Sequence, residues 1–147
     1  MKIGKHEIGD HTPCYVIAEI GHNHQGSLEK ARELFREAKQ AGANAVKLQK
    51  RNNKGLYTQA AYNKPYDNEN SFGATYGEHR EFLEFGHSEY QELQAYAKEL
   101  DIDFFSTAFD IASADFLESL NVPAYKIASG DLKSVPLLKH VAASGSR

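Results

Sequence analysis

The sequence predicts an α/β protein: a (β/α)8 TIM-type barrel, of which this chain covers about the first four β/α units. Three observations predict it. Short apolar runs alternate with amphipathic helical patterns four times over, an order that implies parallel strands joined by crossovers, in a closed barrel or an open doubly wound sheet. The first run is followed by GHNHQG and not by the glycine-rich G-x-G-x-x-G turn, which removes the best signal of an open dinucleotide-binding sheet. Polar residues recur at the carboxyl ends of the runs, where a barrel carries its site.

Tyr15–Ile20 (YVIAEI) is a short, mostly apolar run that ends at Gly21 and reads as a buried strand. Ser27 then stands as N-cap to a helix whose Leu28, Ala31, Leu34, Phe35, Ala38 and Ala41 recur at helical spacing, with Gly42 as its stop. Ala45–Gln49 (AVKLQ) resumes as strand. From Lys50 to about Gly86 no period is sustained, so this is a long excursion with at most short elements, a kind of segment that is usually functional or disordered. Ser88 opens the next helix with a capping box closed by Gln91, and Tyr90, Leu93, Ala97 and Leu100 form its inward stripe. Ile102–Thr107 (IDFFST) is the third strand. Asp110 caps a helix carrying Phe116, Leu117 and Leu120, Asn121-Val122-Pro123 ends it, and Ala124–Ala128 (AYKIA) is the fourth strand before Ser134 caps a last helix. A full barrel needs about 200 to 250 residues. Four units in 147 residues are therefore half of one, a truncated domain spanning 1–147 with a fifth strand expected after Arg147.

Composition narrows the function. With 41% hydrophobic and 25% charged residues the chain is ordinary for a globular domain, and its net charge of −3 spreads 17 basic among 20 acidic residues. No positive field is available for nucleic acid or anionic lipid, and neither is expected as a partner. Cys14 has no second cysteine to pair with, and no apolar run has the length of a signal peptide or membrane span, so a reducing cytoplasm fits best.

Four strand ends carry chemistry: Glu19 on the first, Lys47 and Gln49 on the second, Ser106 and Thr107 on the third, Lys126 with Ser129 on the fourth. Two ammonium groups with hydroxyls suit a small anion bearing phosphate and carboxylate, and a carboxylate beside them can move a proton. Any one such lysine or glutamate read alone is a solvated or ion-paired group; the coincidence of four ends makes the site. Ser129-Gly130, ahead of a helix capped by Ser134, adds backbone N–H groups for an anion. His22 and His24 lie in a loop beside Glu19, but they lack helical i, i+4 register and no nearby Cys or Asp completes a metal set, so they read as hydrogen-bonded loop histidines. Tyr57, Tyr62, Tyr66 and Tyr76 either line a sugar pocket or pack the excursion onto the rim.

The segments IAEIGHNHQGS, AVKLQK, YGEHREFLEF, FFSTAFD and VPAYKIASGD, taken together in order and spacing, resemble the N-acetylneuraminate (sialic acid) synthase family. The resemblance runs through nearly the whole chain and implies condensation of phosphoenolpyruvate with N-acetylmannosamine, or its 6-phosphate, to a nine-carbon sialic acid and phosphate. It implies that Glu19 is a catalytic-site residue, that Lys47 and Lys126 hold phosphoenolpyruvate with Thr107 and Ser129 as hydroxyl partners, that Gln49 lies near the amino sugar, and that Asp131 assists proton movement at the reacting carbon. Lys133-Ser134 departs from the Thr-Asn or Asn-Asn common in the family at that place. The resemblance further implies a divalent ion, commonly Mn2+, whose histidine ligands lie beyond Arg147, with no metal ligand in this chain. It also implies a homodimer whose antifreeze-like C-terminal domain, absent here, reaches a partner's site. On this reading the fragment alone is inactive. Two rivals stand beside it: a Schiff-base aldolase with Lys126 as nucleophile, and a non-catalytic anion-binding fragment.

Overall fold

The computed structural model describes residues 1–144. The expectation of a fifth strand after Arg147 lies outside the described residues. Two short strands, β1 (Lys2–Ile3) and β2 (His6–Glu7), form an antiparallel hairpin that the apolar pattern did not announce. The main sheet consists of β3 (Ile17–Gly21), β4 (Ala45–Lys50), β5 (Asp103–Ala108) and β6 (Tyr125–Ile127), all parallel and in chain order. No switch of direction interrupts that order. The fourth strand is shorter than its apolar run, because the chain turns into a 3-10 helix at Ser129–Lys133.

Helix α1 (Leu28–Gln40) begins where expected: Ser27 Oγ accepts the Lys30 N–H at 3.2 Å. It ends in a Schellman turn, with the N–H of Gly42 on the Lys39 carbonyl and that of Ala43 on the Ala38 carbonyl, both at 3.0 Å, and Gly42 at φ +88°. The excursion holds three short helices, α2 (Asn53–Leu56), α3 (Gln59–Tyr62) and α4 (Tyr76–Phe82). Helix α5 (His87–Glu99) starts earlier than the predicted Ser88–Gln91 box. Gly86 is its N-cap, and Glu89 Oε2 accepts from both the Gly86 N–H and the Ser88 hydroxyl at 3.0 Å, since a glutamate three residues on reaches the cap directly. Asp110 caps α6 (Ile111–Ser119) through the Ser113 N–H at 2.8 Å, and α7 (Val135–Ser144) follows directly on Ser134.

Side chains alternate across the sheet. On one face Val46 and Leu48 of β4 and Phe104 of β5 pack against Phe35 of α1, Tyr90 and Leu93 of α5 and Leu117 of α6, all buried. The Phe104 ring lies 5.1 Å from Phe35 and 5.6 Å from Tyr90, so one aromatic of the sheet joins two helices. Each such side chain contributes about 1.5–3 kcal/mol through burial. The opposite face carries Ala45, Lys47 and Gln49 beside Asp103, Phe105 and Thr107. At its amino end Asp103 Oδ2 accepts the Tyr15 hydroxyl at 2.7 Å and meets His6 Nδ1 at 3.0 Å, docking the hairpin under the sheet. At its carboxyl end the chemistry gathers.

Candidate active site

Parallel register decides which side chains meet. Glu19 stands opposite Lys47, Gln49 opposite Thr107, and Thr107 opposite Lys126, so four strands send their groups to the same face. Lys47 is only 6% exposed; its Nζ donates to Thr107 Oγ1 at 2.8 Å and forms an ion pair with Glu19. The Glu19 side chain is itself 51% exposed, so the pair has a dry side and a wet side. Gly21, at φ +56°, has no side chain to fill the space between Glu19 Oε1 and Gln49 Nε2. A β-carbon there would sit 3.4 Å from the first and 3.6 Å from the second. Gln49 Oε1 accepts from Arg51 Nη2 at 2.7 Å, which leaves its Nε2 hydrogens turned toward that gap.

Lys126 is exposed and its Nζ donates to the Ile127 carbonyl at 2.9 Å. Ser129 opens the 3-10 turn and is exposed, while Asp131 in the same turn has Oδ2 buried without a hydrogen-bond partner among the described residues. The structure thus joins Glu19, Lys47, Gln49 and Thr107 in one group and sets Lys126, Ser129 and Asp131 at the neighbouring strand end. Ser106 belongs to neither. It points to the helix face, where its Oγ meets the Tyr90 hydroxyl at 3.1 Å, and the two-residue period of a strand forbids Ser106 and Thr107 from sharing a face.

The loop histidines have separate settings. His24 is 1% exposed, stacks on Phe85 at 4.1 Å, and accepts the Gly26 N–H on Nδ1 at 3.1 Å; burial, helped by the nearby His22, lowers its pKa to about 4. It is a neutral core histidine. His22 Nε2 faces Glu84 Oε1 at 3.4 Å without an aligned hydrogen bond. Among the described residues no group of three His, Cys, Asp or Glu is placed to hold a metal ion. No helix among them is long and apolar enough to cross a membrane.

Sequence reasoning passed over Arg51 and Glu84. Glu84 Oε2 accepts the Arg51 N–H at 3.2 Å and pairs with Lys50 Nζ at 3.4 Å. Arg51 had a signal, since it follows Gln49 by two residues and so continues the same face.

Residues 34–147 match the NeuB family. This chain belongs to the NeuB family. The matched span includes Lys47, Gln49, Thr107, Lys126, Ser129 and Asp131 and begins after Glu19. Among NeuB-related proteins, the N-acetylneuraminate-9-phosphate synthase of Drosophila melanogaster is 48% identical over 128 residues, covering 87% of this chain and 34% of the relative. The human protein of the same name is 44% identical over 138 residues, covering 94% of this chain and 38% of its own length. The crystal structure of a sialic acid synthetase from Leptospira borgpetersenii superimposes with a TM-score of 0.80 at 32% identity, over 99% of this chain and 46% of that one. The chain therefore spans between about a third and just under half of the length of these relatives.

Proposed function

We propose that this chain supplies the phosphoenolpyruvate-binding portion of a synthase that condenses phosphoenolpyruvate with N-acetylmannosamine, or its 6-phosphate, releasing phosphate and a nine-carbon sialic acid. The observation that carries the reading is the buried Lys47 ammonium, held between Glu19 and Thr107 at the strand ends. A buried ammonium is costly unless anions compensate it, and here the compensating carboxylate is half in water, leaving room for a second anion at the same place. Lys126 and Ser129 one strand over add an ammonium and a hydroxyl, enough for a phosphate and a carboxylate together. The unbroken strand order supports a (β/α)8 barrel as the complete architecture.

In the reaction C3 of phosphoenolpyruvate forms a bond to the aldehyde carbon of the open-chain sugar, whose oxygen takes up a proton. Water adds at C2 and loses a proton, and the bond between C2 and the oxygen bridging to phosphorus breaks with its electron pair leaving on phosphate, while the new C2 hydroxyl gives up its proton to become the ketone. Lys47 and Lys126 hold the anion in place for this attack, and Gln49 Nε2 offers a donor to a sugar oxygen. Glu19 and Asp131 are the carboxylates that receive and return protons. The resemblance puts the histidine ligands of its divalent ion beyond Arg147, and among the described residues no group of three His, Cys, Asp or Glu is placed to hold one; when bound, such an ion would polarise the sugar aldehyde as a Lewis acid. A Schiff-base route would need a desolvated amine, whereas Lys126 is exposed.

The test supplies the full-length protein with phosphoenolpyruvate, N-acetylmannosamine or its 6-phosphate, and Mn2+, and measures phosphate release with mass-spectrometric detection of the nine-carbon product. A borohydride-trapped pyruvate adduct on Lys126 would overturn the reading. Residues 1–147 alone are expected to bind phosphoenolpyruvate without turnover.

A further inference from the structure

We propose that Arg51 is a positioning residue: by holding the Gln49 side-chain oxygen it fixes the amide in the orientation that turns Nε2, a donor, into the niche beside Glu19. That the ligand reading this donor is the acceptor sugar rests on the synthase reading above; the orientation rests on the following geometry.

A glutamine amide has nearly the same shape at both ends, so a site that depends on its polarity needs a neighbour to choose which end faces the ligand. A guanidinium carries donors only. Arg51 Nη2 lies 2.7 Å from Gln49 Oε1, and the turned-over amide is excluded because it would set two donors against each other. This is the one hydrogen bond that the guanidinium makes among the described residues. Arg51 is itself held at two further points. Its guanidinium lies over the Phe109 ring, 3.8 Å from the centre, and its backbone N–H donates to Glu84 Oε2 at 3.2 Å. Lys50, the residue before it, donates Nζ to the Phe85 carbonyl at 2.6 Å and steadies the same stretch of main chain. Both ends of the Arg51 side chain are thus placed before any ligand arrives, and the order they impose on Gln49 is not taken from binding.

Polarity matters here because of what stands opposite. A β-carbon on Gly21 would sit 3.4 Å from Glu19 Oε1 and 3.6 Å from Gln49 Nε2, so an atom placed over Gly21 touches both groups. With Arg51 in place the niche offers an acceptor and a donor side by side, which suits a ligand hydroxyl or amide. With the amide turned over it would offer two acceptors, and a hydroxyl has one proton to give.

The test uses the full-length protein as wild type, Arg51→Met, Gln49→Met and the double variant, with phosphoenolpyruvate and N-acetylmannosamine or its 6-phosphate. Glutamine side chains are isotope-labelled, and the Gln49 amide signals, identified by their loss in Gln49→Met, are followed by nuclear magnetic resonance. Arg51→Met is expected to move them toward the position of a free glutamine. It is also expected to raise the sugar KM about three- to tenfold, the worth of one hydrogen bond, with the phosphoenolpyruvate KM within about twofold of wild type. Because Arg51 acts through Gln49, the double variant is expected to match Gln49→Met alone. Phe109→Leu takes the ring from under the guanidinium and is expected to move both readouts the same way by about twofold, which keeps the test decisive if Arg51→Met does not fold. Unmoved Gln49 signals overturn the assignment. So does a cycle in which the two substitutions add, or a rise in the phosphoenolpyruvate KM as large as that in the sugar KM. Absence of product from wild type overturns the synthase reading instead, and the Gln49 signals then still decide the role of Arg51.

Discussion

Lys47 reaches past Phe105, the residue opposite it across the β4–β5 ladder, and donates to the Thr107 hydroxyl one row higher at 2.8 Å. The ammonium is thereby carried toward the carboxyl ends of the strands, while Glu19, in Lys47's own row, holds it from the side. Lys47→Met keeps the volume, removes the charge, and is expected to change stability by under about 1 kcal/mol, because the Glu19 carboxylate left without its partner is half exposed and can be hydrated. Glu19→Ala leaves the buried ammonium with a hydroxyl alone and is expected to cost about 1–2 kcal/mol, below the fully buried case because Glu19 is half exposed. Chemical denaturation distinguishes the two. Titration with phosphoenolpyruvate should show the reverse emphasis, with Lys47→Met weakening binding by about 1.5–3 kcal/mol. Unchanged binding in that variant would remove Lys47 from the site.

His24 sets an acid limit on stability. Its pKa falls from 6.5 to about 4 on folding, so the folded state binds fewer protons than the unfolded one and stability grows with pH across that interval. Below pH 6.5 the unfolded chain gains protonated His24, and the loss, of the order of 2 kcal/mol after screening, is complete near pH 4. Urea denaturation between pH 4 and 7 should show this slope. His24→Gln should flatten it.

Gly77 is a close-approach glycine. A β-carbon at this position of α4 would collide with the Tyr62 ring of α3, which lies against the helix backbone. Gly77→Ala is expected to cost about 1–3 kcal/mol by overpacking. Gly42→Ala has open space around it but a φ of +88°, so it is expected to cost about 1 kcal/mol through backbone strain alone. Thermal unfolding of both, with near-ultraviolet circular dichroism, should show altered tyrosine packing only in the Gly77 variant.

Asp103→Ala tests the docked hairpin. The substitution leaves the Tyr15 hydroxyl and His6 without their shared acceptor, and a cost of about 1–3 kcal/mol is expected for the orphaned groups. Hydrogen exchange followed by mass spectrometry should show β1 and β2 losing protection while β4 keeps it. Retained protection of the hairpin would show that Asp103 does not hold it.

The α/β alternation was legible because each helix and strand obeys its own period and its cap. Ser27, Gly42 and Asp110 each act where a sequence reader would place them. The start of α5 was not, since Ser88 and Glu89 are both good cap residues and only the reach of the Glu89 carboxylate to Gly86 decides between frames. The hairpin was hidden because its two strands have two residues each and depend on a contact with Asp103, nearly a hundred positions away. In the site, strand ends could be read off but facing could not be read from polarity alone: Ser106 and Thr107 are both hydroxyls, and the register sends them apart. Arg51 and Glu84 escaped notice because they sit at the two ends of an aperiodic segment, and only the fold makes them neighbours.

Those two ends are fastened together. The Arg51 N–H bonds Glu84, and Lys50 Nζ donates to the Phe85 carbonyl at 2.6 Å, so the excursion leaves and rejoins the sheet through one pinned neck. Polymer physics makes such a neck consequential: once the ends of a loop are held, doubling its length adds only about 0.6 kcal/mol of closure entropy. The segment between Arg51 and Glu84 is therefore expected to tolerate changes of length. Insertions and deletions between those ends are expected to leave the Lys47–Thr107 contact in place, because the neck and not the loop's length fixes where the segment meets the sheet.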